Sequence, residues 1–154
     1  PTGGNDIKDE GTGYFEKCGT PMIFSSNFSV GVNVLTAAVE VISKSLAKAG
    51  GYAPYIVEKH HIHKLDAPSG TAKSLAEVVE SQMGLSPDVA SVRVGELAGT
   101  HTVGFEGACD RITVEHEAFS RKGFAEGAVV AALMTEGLTG VHEFKELFFK
   151  EENK

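Results

Sequence analysis

The sequence predicts an α+β fold, a mixed β-sheet of about four strands with helices on one face. Three features point that way. From Ser29 to Ala49, apolar residues recur at Val30, Val34, Leu35, Ala38, Val41, Ile42 and Leu46, a helical period that Gly50-Gly51 stops. A β-branched and aromatic run, Tyr55-Ile56-Val57, passes through a polar turn into a second helical pattern with Leu75, Val78 and Val79. Three more strand-like runs follow, Val89 to Gly95, Thr100 to Phe105 and Arg111 to Phe119. Gly95, Gly99, Gly104 and Gly107 separate or interrupt them, which suits an antiparallel meander.

Taken in order, residues 1–20 are glycine-rich and polar without a period, and read as a loop or a cut end. Gly11-Thr12-Gly13 does not make a dinucleotide fingerprint, because Glu16 stands where a glycine is needed and no strand precedes it. Pro21 to Ser26 is a short buried-type strand, and Asn27-Phe28-Ser29 turns into the first helix. The second helix runs from Thr71 to Met83, with Lys73, Glu77 and Glu80 outward, and Gly84-Leu85-Ser86-Pro87 ends it. In the last run, Thr113, Glu115 and Glu117 alternate with Ile112, Val114 and His116, so the less polar face needs cover from helices or another subunit. Phe124 to Leu138 is helical and apolar nearly all round, which predicts burial or, where this chain supplies too little to cover it, an exposed patch, a domain-swap element or a new interface. Phe144, Leu147, Phe148 and Phe149 precede a charged tail expected to fray.

Composition limits the functions available. A chain of 154 residues can bury roughly 70% of its unfolded surface, enough for one domain with a core. A net charge of -7 argues against nucleic acid or anionic membranes as partners, and no uninterrupted apolar run approaches the length of a membrane span. Two distant cysteines, Cys18 and Cys109, suit a reducing cytoplasm, with a single bridge as the alternative.

The densest chemistry lies in VEKHHIHKLDAPSGTA, Val57 to Ala72, where His60, His61 and His63 fall within four residues and Lys64 follows. Pro68 disfavours helix at Ala67, and Ser69 is a good N-cap. The amides of Gly70, Thr71 and Ala72 are then expected to point out of a first turn that attracts carboxylate or phosphate. An ammonium and several imidazoles beside such a site suit an acidic small molecule that is protonated or deprotonated in place. The bland readings are a simple cap and satisfied strand histidines. His61 and His63, two apart on a strand, could also share a metal, although no cysteine or carboxylate stands at a recognised ligand spacing, so no metal site is predicted.

HHIHKLDAPSGTA resembles the central motif of the dihydrodipicolinate reductase family, NAD(P)H-dependent enzymes of lysine and diaminopimelate biosynthesis. SSNFSVGVN (Ser25 to Asn33), HTVGFEG (His101 to Gly107), DRITVEHEAFSR (Asp110 to Arg121) and FAEGAVVAA (Phe124 to Ala132) match in the same order. The resemblance covers roughly Pro21 to Phe149 and implies that a Rossmann nucleotide-binding half lies outside this chain. It implies that 1–27 is a linker with the last strand of that half, that 28–123 binds substrate and oligomerises, and that 124–154 packs on the missing domain.

By the same resemblance, His60 is the proton donor, Lys64 a second acid or charge partner, and His61 a substrate contact, while Gly70 and Thr71 hold a carboxylate. Ser25, Ser26, Asn27 and Phe28 match a turn that touches the nicotinamide end of NADPH or NADH. The implied partners are a cyclic dicarboxylate substrate and three further copies in a homotetramer, and the chain alone is expected to lack reductase activity. A non-catalytic dicarboxylate-binding module and a metal-dependent hydrolase are the alternatives. His63 and Asp66 read as supporting residues, His101 and His116 as strand residues, and Arg111 and Arg121 as surface ion pairs.

Overall fold

The structure, a computed structural model, describes residues 13–150. Its elements are β1 (Met22–Phe24), α1 (Val30–Ala49), β2 (Ala53–His60), α2 (Gly70–Met83), β3 (Asp88–Arg93), β4 (Gly99–Glu106), β5 (Arg111–Ala118), α3 (Lys122–Leu133), β6 (Val141–Glu143) and α4 (Phe144–Phe148). Residues 13–18 are helical where a loop was expected, and Gly11-Thr12 lies outside the described residues. The chain forms two compact units, Gly31–Arg121 and the pair of segments that end at Val30 and begin at Lys122.

In the first unit the four strands form one mixed sheet in the order β3-β2-β4-β5. β2 pairs with β3 in parallel and with β4 antiparallel, and β4 pairs antiparallel with β5. The expected meander therefore holds only for β4 and β5, since β3 joins the far edge of β2. A parallel neighbour needs a crossover connection, and α2 supplies it. One face of the sheet carries Ile56, Val103 and Phe105 against Leu35, Val39 and Leu46 of α1 and Ala72, Leu75 and Val79 of α2. Helices on one face of a mixed four-stranded sheet is the arrangement the sequence predicts.

Local chemistry marks the ends of the two longest helices. Ser69 Oγ accepts the Ala72 N–H at 3.2 Å at the start of α2. At its end Gly84, with φ 67°, turns left-handed and donates its N–H to the Glu80 carbonyl at 2.8 Å. α1 carries Lys48 in its last turn, favourable to the helix dipole. Contrary to the expectation from run length, α1 is long and apolar enough, by length and composition, to cross a membrane. Its buried Leu35, Val39 and Leu46 instead make it a helix of the core.

The second unit pairs β1 in parallel with β6, Met22 opposite Val141 and Phe24 opposite Glu143. Strand β6 was not foreseen, since three residues with His142 and Glu143 among them show no period. Phe144 is fully buried, its ring 5.5 Å from that of Phe28 and 5.6 Å from that of Phe148. α3 stops at Leu133 rather than Leu138, and one side of it is the exposed patch that was the alternative to burial, with Val129 60% and Leu133 73% exposed. Cys18 and Cys109 are exposed free thiols.

Candidate functional site

Strand alternation builds the site. Ile56, Glu58 and His60 lie on the helix-covered face of β2. Ile56 sits opposite Val103, and Glu58 opposite His101. Next on β5 come Val114 and His116, while on the parallel side Ser91 stands beside Glu58 and Arg93 beside His60. A step of two residues along β2 thus changes a buried apolar row into a buried ionisable one. Glu58 has no exposure, His101 5% and His60 7%.

These groups are joined in a chain. His60 Nδ1 pairs with Glu58 Oε2. The other carboxylate oxygen, Oε1, accepts from Arg93 Nη2 at 2.8 Å. The same Nη2 donates to the Asp66 carbonyl at 2.6 Å, and Arg93 Nε donates to the Lys64 carbonyl at 3.2 Å. The loop after β2 is also fastened through its backbone, with His61 N–H on the Leu97 carbonyl at 2.9 Å and Ile62 N–H on the Gly95 carbonyl at 3.1 Å. On its other side the His60 ring meets His101 edge to face, centroids 5.1 Å apart, and His101 Nε2 lies 3.0 Å from Ser69 Oγ. The cap of α2 is therefore two contacts from His60.

Gly99 makes room for that ring. A Cβ placed there would stand 3.0 Å from His60 Nε2, and its φ of 147° is one that side chains rarely adopt.

Burial and neighbouring charge set the protonation states. Burial pushes Glu58 up, but hydrogen bonds from Arg93 and Ser91 and the charges of His60 and Arg93 outweigh it, so the carboxyl lies below its usual range. Burial lowers His60, Glu58 opposes the fall, and Lys64 and Arg93 add to it. Burial, then the nearby His60, takes His101 down to about 4. His116 is lowered by burial as well. The cluster at neutral pH is an ionised Glu58 held by Arg93 among neutral imidazoles.

The sequence-predicted residues fall on this framework unevenly. His60 ends β2, and His61, His63 and Lys64 lie in the loop beyond it, so His61 and His63 are not strand partners. Their rings are 6.0 Å apart, and His63 Nε2 faces Glu96 at 3.3 Å on the surface. His61 Nδ1 is buried without a hydrogen-bond partner among the described residues. Lys64 Nζ is bound by both oxygens of Asp66, at 2.7 and 2.9 Å, which lowers the Asp66 carboxyl. Gly70 is exposed, with open space where a side chain would be, and Thr71 is half-buried. The Ala72 amide, expected to face a ligand, is instead taken by the cap.

Ser25, Ser26, Asn27 and Phe28 belong to the other unit, where they form a turn after β1. Ser25 Oγ donates to the Asn27 carbonyl at 2.7 Å, and Asn27 Oδ1 accepts the Ser29 N–H at 2.8 Å. Between these engaged groups Ser26 is exposed.

Sequence reasoning passed over Glu58 and Arg93, and it read His101 only as a strand residue, which it is, and Gly99 only as a separator of strands. Of the arginines it weighed, Arg111 pairs with Glu106 on the surface, as expected for a surface ion pair. It weighed a metal at His61 and His63 and predicted none, whereas among the described residues the potential ligand atoms lying within 4.8 Å of one another belong to Glu58, His60 and His101.

Comparison with known proteins identifies relatives of this arrangement. The family model described as "Dihydrodipicolinate reductase, C-terminus" matches residues 31–148. A 4-hydroxy-tetrahydrodipicolinate reductase of Xanthomonas campestris pv. campestris (strain B100) is 46% identical over 112 residues, covering 73% of this chain and 45% of that protein. The enzyme of the same name from Methanopyrus kandleri is 36% identical over 152 residues, covering 87% of this chain and 55% of the relative. The chain thus spans about half the length of the curated relatives it matches. Among solved structures, a dipicolinate-bound dihydrodipicolinate reductase from Paenisporosarcina sp. TG-14 has the same fold, with a TM-score of 0.76 at 19% identity over 96% of this chain and 61% of that one.

Proposed function

Because the chain belongs to the dihydrodipicolinate reductase C-terminal family, we propose that it supplies the dicarboxylate site and the proton donor for reduction of 4-hydroxy-tetrahydrodipicolinate to tetrahydrodipicolinate. The observation that carries this reading is the contact chain from Ser69 Oγ through His101 to His60, which joins an anion-attracting helix start to a titratable group. In this reading Gly70 and Thr71 hold one carboxylate of the substrate, His61 offers its buried Nδ1, and His60 gives the proton. Lys64 leaves Asp66 to face the substrate's negative charge. A reduced nicotinamide, NADH or NADPH, supplies the hydride when bound, and Ser25 to Phe28 meet its edge. The role belongs to lysine and diaminopimelate biosynthesis in the cytoplasm, in keeping with the free thiols.

The sheet face opposite the helices, with half-buried Tyr55 and Val57 and exposed Val92, is where a homotetramer would form. Light scattering that returns a clean monomer would count against it.

His60 is neutral in this state, so the bound dianion is what loads it. Calorimetric titration with pyridine-2,6-dicarboxylate tests the site. Binding should take up a proton near neutral pH, seen as heat that depends on the buffer's ionisation enthalpy, and should vanish in Thr71→Val, Lys64→Ala. Binding that survives the double substitution would remove those residues from the site. In a turnover assay His60→Gln is expected to lower kcat far more than it raises KM, and the opposite pattern would exclude His60 as the acid.

The Glu58, His60 and His101 cluster favours a second reading, a metal-dependent hydrolase. Arg93 already neutralises Glu58, so we prefer a metal-free site. Stoichiometric zinc in the purified protein would reverse that preference.

A further inference from the structure

We propose that Glu58, anchored by Arg93, is the positioning residue that sets which nitrogen of His60 carries the transferable proton. This rests on the reading of His60 as the proton donor. The carboxylate meets the ring only at Nδ1. An ionised carboxylate accepts and cannot donate, so a neutral His60 must carry its proton on Nδ1, leaving Nε2 as the basic nitrogen. Nε2 is the atom that lies against the bare α-carbon of Gly99. When His60 is loaded, the new proton therefore goes on Nε2, while Nδ1–H stays with Glu58.

Arg93 makes the arrangement directional. Its Nη2 binds the Glu58 oxygen that His60 does not use, which prevents the carboxylate from rotating away. The same guanidinium holds the carbonyls of Lys64 and Asp66. One side chain from β3 thus fixes both the orientation of His60 and the path of the loop that carries Lys64. Among the described residues no other ionised acceptor contacts His60, since His101, its ring neighbour, stays neutral.

The arrangement predicts an unusual response to an isosteric change. In Glu58→Gln, Arg93 claims the amide oxygen, because a guanidinium cannot accept a hydrogen bond. The amide NH2 is then turned toward His60 Nδ1, which must become an acceptor, so the ring proton moves to Nε2.

Long-range 1H–15N correlation spectra of the histidines in this chain read the tautomer directly. The unsubstituted chain should show His60 mainly as the Nδ1–H form. Glu58→Gln should invert the ratio by at least about tenfold, and Glu58→Asp should restore the original preference in part. His60 as Nε2–H in the unsubstituted chain would overturn the proposal without any variant. So would an unchanged tautomer in Glu58→Gln with the methyl resonances of Ile56, Val79 and Val103 in place. Adding pyridine-2,6-dicarboxylate to the same samples separates this inference from the functional reading. If Glu58→Gln inverts the tautomer but the dicarboxylate leaves His60 unmoved, the positioning role stands and the substrate assignment fails. If the dicarboxylate shifts His60 while the tautomer ignores Glu58, the substrate assignment stands and the positioning role fails.

Discussion

Two neighbouring rows of the same sheet face are equally buried and built for opposite purposes. Ile56, Val103 and, one row further out, Phe105 are 0–1% exposed and belong to one hydrophobic cluster with side chains of α1 and α2. Glu58, His101 and His60 are 0–7% exposed on the same strands, and they meet one another, Arg93 and Ser69. Apolar burial stabilises the fold by roughly 1.5–3 kcal/mol per large side chain. Burying a paired charge seldom adds net stability, because desolvation offsets the attraction. The second row is therefore explained by what its groups do.

The largest effect separating the rows should come from Phe105→Ala, which empties a fully buried position of the apolar row. A loss of about 3–5 kcal/mol in denaturant unfolding is expected. A loss below about 1 kcal/mol would mean that stability is not concentrated there.

The next effect is the pH response of the ionisable row. His101 is lowered to about 4 in the folded chain, so the unfolded state binds its proton first as pH falls. Its contribution is complete above about pH 6.5, is lost progressively toward pH 4, and amounts to about 3 kcal/mol at most. Urea midpoints across that window should fall with acid in the unsubstituted chain and fall less in His101→Gln. Identical slopes would assign the acid sensitivity elsewhere, for example to the carboxyl of Glu58, which is also lowered.

The smallest effect on stability is also the sharpest contrast. Replacing both members of the ion pair, Glu58→Leu with Arg93→Met, should leave stability within about 1 kcal/mol. The same double substitution should remove proton uptake on dicarboxylate binding. A large loss of stability would give the polar row a structural purpose after all.

The sequence made the helix-forming parts of this comparison legible and hid the charged ones. α1 and α2 announce themselves through period, Ser69 and the closing glycines, because those signals act within a few residues. β2 is harder to orient, since Tyr55 and Val57 are as apolar as Ile56, and alternation alone leaves open which face goes inward. Once Ile56 is inside, Glu58 and His60 follow by the pleat. Arg93 carried no local signal, because its partner Glu58 is 35 positions away and the parallel register brings them together. The apolar helix after Phe124 left burial and an exposed patch both open for a related reason, since composition states what a helix could bury and not what is present to cover Val129 and Leu133.

The parallel pairing of β1 with β6 has a consequence for the order of assembly. Met22 meets Val141 across about 120 intervening residues, whereas β2, α2 and β3 close their contacts within about 40. Chain closure over the longer span costs more entropy and delivers only three residue pairs. The sheet with the histidine cluster should therefore acquire protection in pulse-labelled hydrogen exchange before the turn from Ser25 to Phe28 does. The four-stranded sheet would then be complete while β1 and β6 were still searching for each other.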